Sequence, residues 1–162
     1  MRRRMMVIVI GSALGLIAAN ESAQAGLLAR YECNVIGPSI PEPIGDRSGH
    51  NLAVTQFSCL AVEGEMKGAV YTATNVAEWD GPKAVYQFAG GVHRIAGGFA
   101  VTQMTEGGAT VIMKDGQPVG SEGAGKAVIK YAAGTLAAYA GKPVAFTNKS
   151  AGLGHFILEF TD

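Results

Sequence analysis

The sequence predicts an all-β protein: a small antiparallel up-and-down β-barrel of about eight strands, with a β-sandwich as the alternative. Three observations lead there. Runs rich in Val, Ile, Thr, Tyr and Phe recur between glycine-containing turns, at 51–62, 67–77, 83–89, 97–105, 108–114, 117–123, 126–132, 142–149 and 154–161. Helical periodicity is weak outside one short stretch at 136–140, where Thr135 stands as N-cap and Gly141 and Pro143 as stop signals. Glycine supplies 23 of 162 residues without a regular period, and hydrophobic residues reach 48% against 16% charged, too apolar for disorder and too aperiodic for collagen. A barrel is favoured over a sandwich because closure removes the exposed edges.

Taken in order, the chain opens on a leader. Arg2, Arg3 and Arg4 form a basic segment, and the apolar run from Met5 to Ala19 is shorter than the roughly 20 residues of a bilayer span. Ala23, Gln24 and Ala25 then give a small-x-small cleavage pattern, so residues 1–25 read as a secretory signal and residues 26–162 as a single domain. The expected location is periplasmic or secreted, with no stable membrane insertion after cleavage, since no later segment approaches spanning length. In that oxidising compartment Cys33 and Cys59 are expected to pair, closing a separation of 26 residues and contributing roughly 3–4 kcal/mol in the chain-entropy account. Between them Gly37, Pro38, Pro41, Pro43, Gly45 and Gly49 interrupt helix and strand alike, predicting an irregular, disulfide-tethered loop over 37–50.

The later elements carry local signals. Asp115 and Gly116 suit a type I′ hairpin, which needs positive φ at both central positions. Glu106, Gly107 and Gly108 predict the preceding hairpin. In the last run Phe156, Leu158 and Phe160 share one face and His155, Glu159 and Thr161 the other, the period of a half-buried strand.

The glycine-rich segment Phe88-Ala89-Gly90-Gly91-Val92-His93-Arg94-Ile95-Ala96-Gly97-Gly98 resembles the strand-turn-strand of small secreted barrels related in fold to allene oxide cyclases and dirigent proteins. The likeness covers about residues 67–115 by glycine spacing. It implies a barrel, and as an activity a cofactor-free isomerase or cyclase, without designating a catalytic residue. The whole chain, with paired cysteines and a Trp79-Asp80-Gly81 turn, also resembles small exported bacterial proteins of unassigned function.

Several chemistries are disfavoured. Gly120 to Lys126 reproduces the spacing of a phosphate-binding loop, but Ala127 stands where the magnesium-binding hydroxyl belongs. The sequence lacks a G-x-S-x-G elbow, and both cysteines are spoken for. His50, His93 and His155 are too dispersed for a local metal motif, so no metal or cofactor is expected. Lys+Arg and Asp+Glu are both 13, which gives no field for nucleic acid.

The leading expectation is a non-catalytic barrel that binds a small apolar or amphipathic molecule in its interior, or a partner at its rim. A cofactor-free isomerase or cyclase using a buried carboxylate or His50 is the second reading, and a structural protein with a filled barrel the third. Candidate ligand contacts are His50, beside Asp46 and Arg47 in the irregular loop, Trp79 in Glu78-Trp79-Asp80-Gly81, and Arg94; they offer titratable, stacking and cationic chemistry. The sequence does not define an oligomeric state.

Overall fold

Small or aromatic side chains recur at alternate positions along the strands and face inward, while the outward positions mix polar side chains with exposed apolar ones such as Val54, Leu60, Val70, Val85, Phe88 and Phe99. The computed structural model describes residues 26–162; the expected leader, residues 1–25, lies outside the described residues. The strands are β1 (Leu27–Val35), β2 (Glu42–Pro43), β3 (His50–Glu63), β4 (Val70–Asp80), β5 (Lys83–Ile95), β6 (Gly98–Lys114), β7 (Gln117–Gly134), β8 (Pro143–Gly152) and β9 (His155–Thr161). From β3 to β9 each strand pairs antiparallel with the next, β9 pairs with β1, and β1 pairs with β3. The result is a closed antiparallel eight-stranded barrel, to which β2 adds two rungs against Asn51 and Leu52 of β3.

The seam between β1 and β3 carries the disulfide. Cys33 and Cys59 are direct partners in the ladder, with Cα atoms 4.0 Å apart, and both are buried. The bridge therefore lies in the barrel wall instead of at the ends of the 37–50 loop. That loop is held by other contacts: Ser39 Oγ meets Thr55 Oγ1 at 2.6 Å, and Asp46 and Arg47 bond to groups on β3 and β4.

The two ends of the barrel differ. At one end, Leu28, Met66 and Leu136 are buried under the 64–69 and 135–142 connections and close the bottom, packed with Tyr31, Tyr71, Ile129 and Phe160. The other end carries the 36–49 loop and the tight turns after β4, β6 and β8. Asp115 and Gly116 have φ of 52° and 76°, as their hairpin requires. Phe156, Leu158 and Phe160 face inward as the alternation predicts.

Elsewhere the chain departs from the sequence reading. β1 was not expected as a strand, although Ala29, Tyr31 and Cys33 alternate with Arg30, Glu32 and Asn34. Glu106, Gly107 and Gly108 do not turn; they lie within β6, next to a register shift after Met104. The glycines of 120–125 likewise lie within β7, so four expected strands are two long ones. These glycines serve packing. A Cβ on Gly125 would sit 2.7 Å from Phe146 Cζ, and one on Gly123 2.6 Å from Tyr86 Oη, so bare backbone makes room for two rings against the inner wall. The helix expected at 136–140 is a single 3₁₀ turn, Ala137–Tyr139.

The outer wall carries ion pairs at ladder partners: Arg30 with Glu159, Lys126 with Glu106, and Lys149 with Glu122. Each is exposed and contributes little stability alone. Among the described residues no helix is long and apolar enough to cross a membrane.

Because the bridge fastens the seam, its loss should weaken closure of the whole barrel. Reduction, or Cys33→Ala with Cys59→Ala, is expected to cost roughly 3–4 kcal/mol and lower the melting temperature by about 10 °C in calorimetry. An unchanged melting temperature would show that the seam holds without it.

Candidate functional site

Above the closed floor the barrel interior is open. A cavity of about 360 Å³ runs from Thr102 and Tyr71 up to the rim at Pro41, Gly152 and His155. Its space comes from residue size. Ala53, Ala77, Ala89 and Ala127 occupy inward positions on four different strands, where larger side chains would meet in the middle. Phe57, Phe146, Phe156 and Tyr86 contribute aromatic rings to its lining, and Trp79 stands at the level where β4 reaches the rim. Phe57 and Phe156 pack edge to face at 5.1 Å, a geometry that rigidifies the wall. Polar side chains interrupt the apolar lining at Tyr71, Asn75, Thr102, Ser121, Ser150 and His155. Thr55 is engaged by Ser39, and Asn148 Nδ2 donates to Tyr86 Oη at 3.1 Å.

The floor holds a buried polar chain. His93 points inward from β5, is 2% exposed, and stacks on Tyr71 at 4.0 Å with ring planes 14° apart. Its Nδ1 lies 2.7 Å from Tyr31 Oη and its Nε2 2.6 Å from Thr102 Oγ1. Burial pushes the His93 pKa down to about 3, so the ring is neutral at physiological pH. Burial likewise raises the Tyr31 and Tyr71 hydroxyls above the ordinary phenol value. Tyr71 and Thr102 reach the cavity surface, whereas His93 and Tyr31 lie behind them.

The three expected ligand contacts are not brought together. Trp79 lines the cavity. His50, 6% exposed, lies outside the cavity lining, and its ring is spanned by two carboxylates: Asp46 at 2.5 Å on Nδ1 and Glu78 at 2.8 Å on Nε2. Arg47 extends the cluster to Asp46 and Asp80, and Gln87 donates to Glu78. This is a clamp fastening the 36–49 loop to β4. Hydrogen bonds that the ring donates to Asp46 first, then to Glu78, raise the His50 pKa, and the bond to Asp46 lowers that of Asp46. Arg94 is exposed, opposite Val70 and Phe99 towards the closed end, and contributes nothing to the cavity.

His93 is the residue that sequence reasoning misplaced. The resemblance puts it in a glycine-rich strand-turn-strand, but Gly90 and Gly91 lie within β5, and the extra residue Gln87, between Tyr86 and Phe88 in the ladder, shifts which positions face inward. Only Phe88, Val92 and Arg94 on the opposite parity hint at it, and Gly90 interrupts that alternation. His155 is exposed at the rim of the cavity. Among the described residues no group of three His, Cys, Asp or Glu side chains is placed to hold a metal ion. No family model, curated protein or solved structure matches the chain.

The two buried histidines act on stability with opposite sign. His50 has a raised folded pKa, so its contribution is complete below about pH 6.5 and is lost as pH rises through the raised value. His93 has a depressed one, so stability is retained above about pH 6.5 and falls below it, by as much as about 1.4 kcal/mol per pH unit. Chemical denaturation across pH is expected to give a maximum between the two limbs. His50→Gln should flatten the alkaline limb alone, and an unaltered limb would remove the clamp from the account.

Proposed function

We propose that this protein is an exported, non-catalytic barrel that binds a small apolar or amphipathic molecule in the open end of its interior. The observation that carries the reading is the cavity of about 360 Å³, lined largely by alanines and aromatic rings and reaching the rim at Pro41, Gly152 and His155. Its volume falls within the range of roughly 300–1,000 Å³ typical of small-molecule sites, and its surface is mainly apolar, as such sites are. A protein whose barrel served only as a scaffold gains by filling such space, because an unfilled interior forfeits dispersion contacts.

Export is supported by the disulfide, which persists in a non-reducing compartment, and by the expected cleavage point. Gly26 N lies 2.7 Å from Asp162 Oδ1, so cleavage after Ala25 would turn a neutral donor into an ammonium facing a carboxylate.

The isomerase or cyclase reading, which the resemblance to allene oxide cyclase-like barrels implies, draws on one feature, the His93 chain beneath the floor. It receives less support. No Asp or Glu lines the cavity among the described residues, His50 lies outside it, and both His93 nitrogens are already bonded.

Thermal-shift screening of uncharged apolar compounds tests the proposal. A ligand at roughly a hundred times its dissociation constant should add about 2.7 kcal/mol of stability. Ala77→Phe, which places a ring in the cavity, is expected to abolish the shift while the far-ultraviolet spectrum stays that of the native barrel. Trp79→Ala should weaken the shift and Arg94→Ala should leave it unchanged. Undiminished stabilisation of the folded Ala77→Phe variant would place binding elsewhere.

A further inference from the structure

The hydrogen-bond chain under the floor sets the proton that Thr102 presents to the deep end of the cavity. Tyr31 has no solvent exposure, and its hydroxyl partner is His93 Nδ1. A buried phenol that keeps its proton must hand it to an acceptor, because an unmet buried donor is costly. Nδ1 is therefore the accepting nitrogen. A neutral imidazole has one accepting and one donating nitrogen, so the ring proton resides on Nε2 and is donated to Thr102 Oγ1. With its oxygen receiving that bond, Thr102 retains its own hydroxyl proton. Thr102 is only 3% exposed, yet it lines the cavity, and among the described residues its hydroxyl has no hydrogen-bond partner besides His93.

The rest of the wall sets the charge of the occupant. Among the described residues the lining includes no Lys, Arg, Asp or Glu, so nothing there compensates an ion withdrawn from water. Its titratable side chains are Tyr71 and Tyr86, within the barrel, and His155, exposed at the rim. An ionised ligand head would have to stay at the mouth, whereas a neutral oxygen acceptor can travel to the floor.

We infer that the cavity selects small uncharged apolar molecules bearing an oxygen acceptor, a carbonyl above all, and that Thr102 donates the hydrogen bond that orients them. The inference rests on the reading of the cavity as a ligand site and adds the class of ligand to it. His93 and Tyr31 are positioning residues: they hold the Thr102 hydroxyl with its proton turned towards the ligand.

Benzophenone and diphenylmethane make a suitable pair of probes, since they share shape and differ by a carbonyl against a methylene. In ligand-observed NMR titrations, benzophenone is expected to bind the wild-type barrel roughly five- to tenfold more tightly. Thr102→Val should erase the difference and leave diphenylmethane affinity unchanged, while Thr102→Ser should restore the preference. Equal affinities in the wild type, or a preference that survives Thr102→Val, would overturn the assignment to Thr102 and leave the cavity as a site. Failure of both compounds to bind would overturn the cavity reading with it. Independently of any variant, nitrogen-15 NMR of the imidazole should find the His93 proton on Nε2, and a proton on Nδ1 would contradict the chain.

Discussion

Closure of the sheet at the β1–β3 seam is the constraint on which everything else depends. All other neighbours except β9 and β1 are joined by short connections and would pair in an open sheet as well. Only when β1 lies between β9 and β3 does the inner face become an interior, and only then do both edges disappear. The Cys33–Cys59 bridge lies directly across that seam. A bond that reads in the sequence as a loop tether is in the folded protein a fastening of the wall, and the cavity exists because the wall is complete.

Once closed, the interior is divided by side-chain size. At the bottom Tyr31, Tyr71, His93, Ile129 and Leu28 pack together, with both ring nitrogens of His93 hydrogen-bonded. Higher up, alanines at inward positions leave the middle empty, and the backbone of Gly123 and Gly125 accommodates Tyr86 and Phe146. The high glycine and alanine content is thus the cause of the space. The rim loop is positioned by a charged clamp around His50, which leaves Ser39 and Pro41 at the cavity edge without any charged group facing the interior.

Much of the fold was legible because its signals are local. Asp115 and Gly116 announce their turn by backbone preference, β9 by strict alternation, and the bridge by compartment and cysteine count. What failed to show did so for physical reasons. Register shifts in β5 and β6 change which parity faces inward, so a single period does not run the length of either strand. Glycine was read as a turn marker where it is a packing device, which divided β6 and β7 in two. For the site, only Trp79 could be picked out from chemistry, whereas the cavity is a property of eight strands together, and a clamp such as Asp46–His50–Glu78 needs residues 28 positions apart to be known as neighbours.

The central claim is that one end of the interior is an open, ligand-accepting space and the other a packed floor. Methyl NMR of alanine-labelled protein during a benzophenone titration tests it most directly, because alanines mark both regions. Shifts are expected at Ala53, Ala77, Ala89 and Ala127, which line the cavity, and none at Ala29, Ala61 and Ala69 in the closed end. Shifts confined to outward-facing alanines, or spread evenly through both ends, would contradict it.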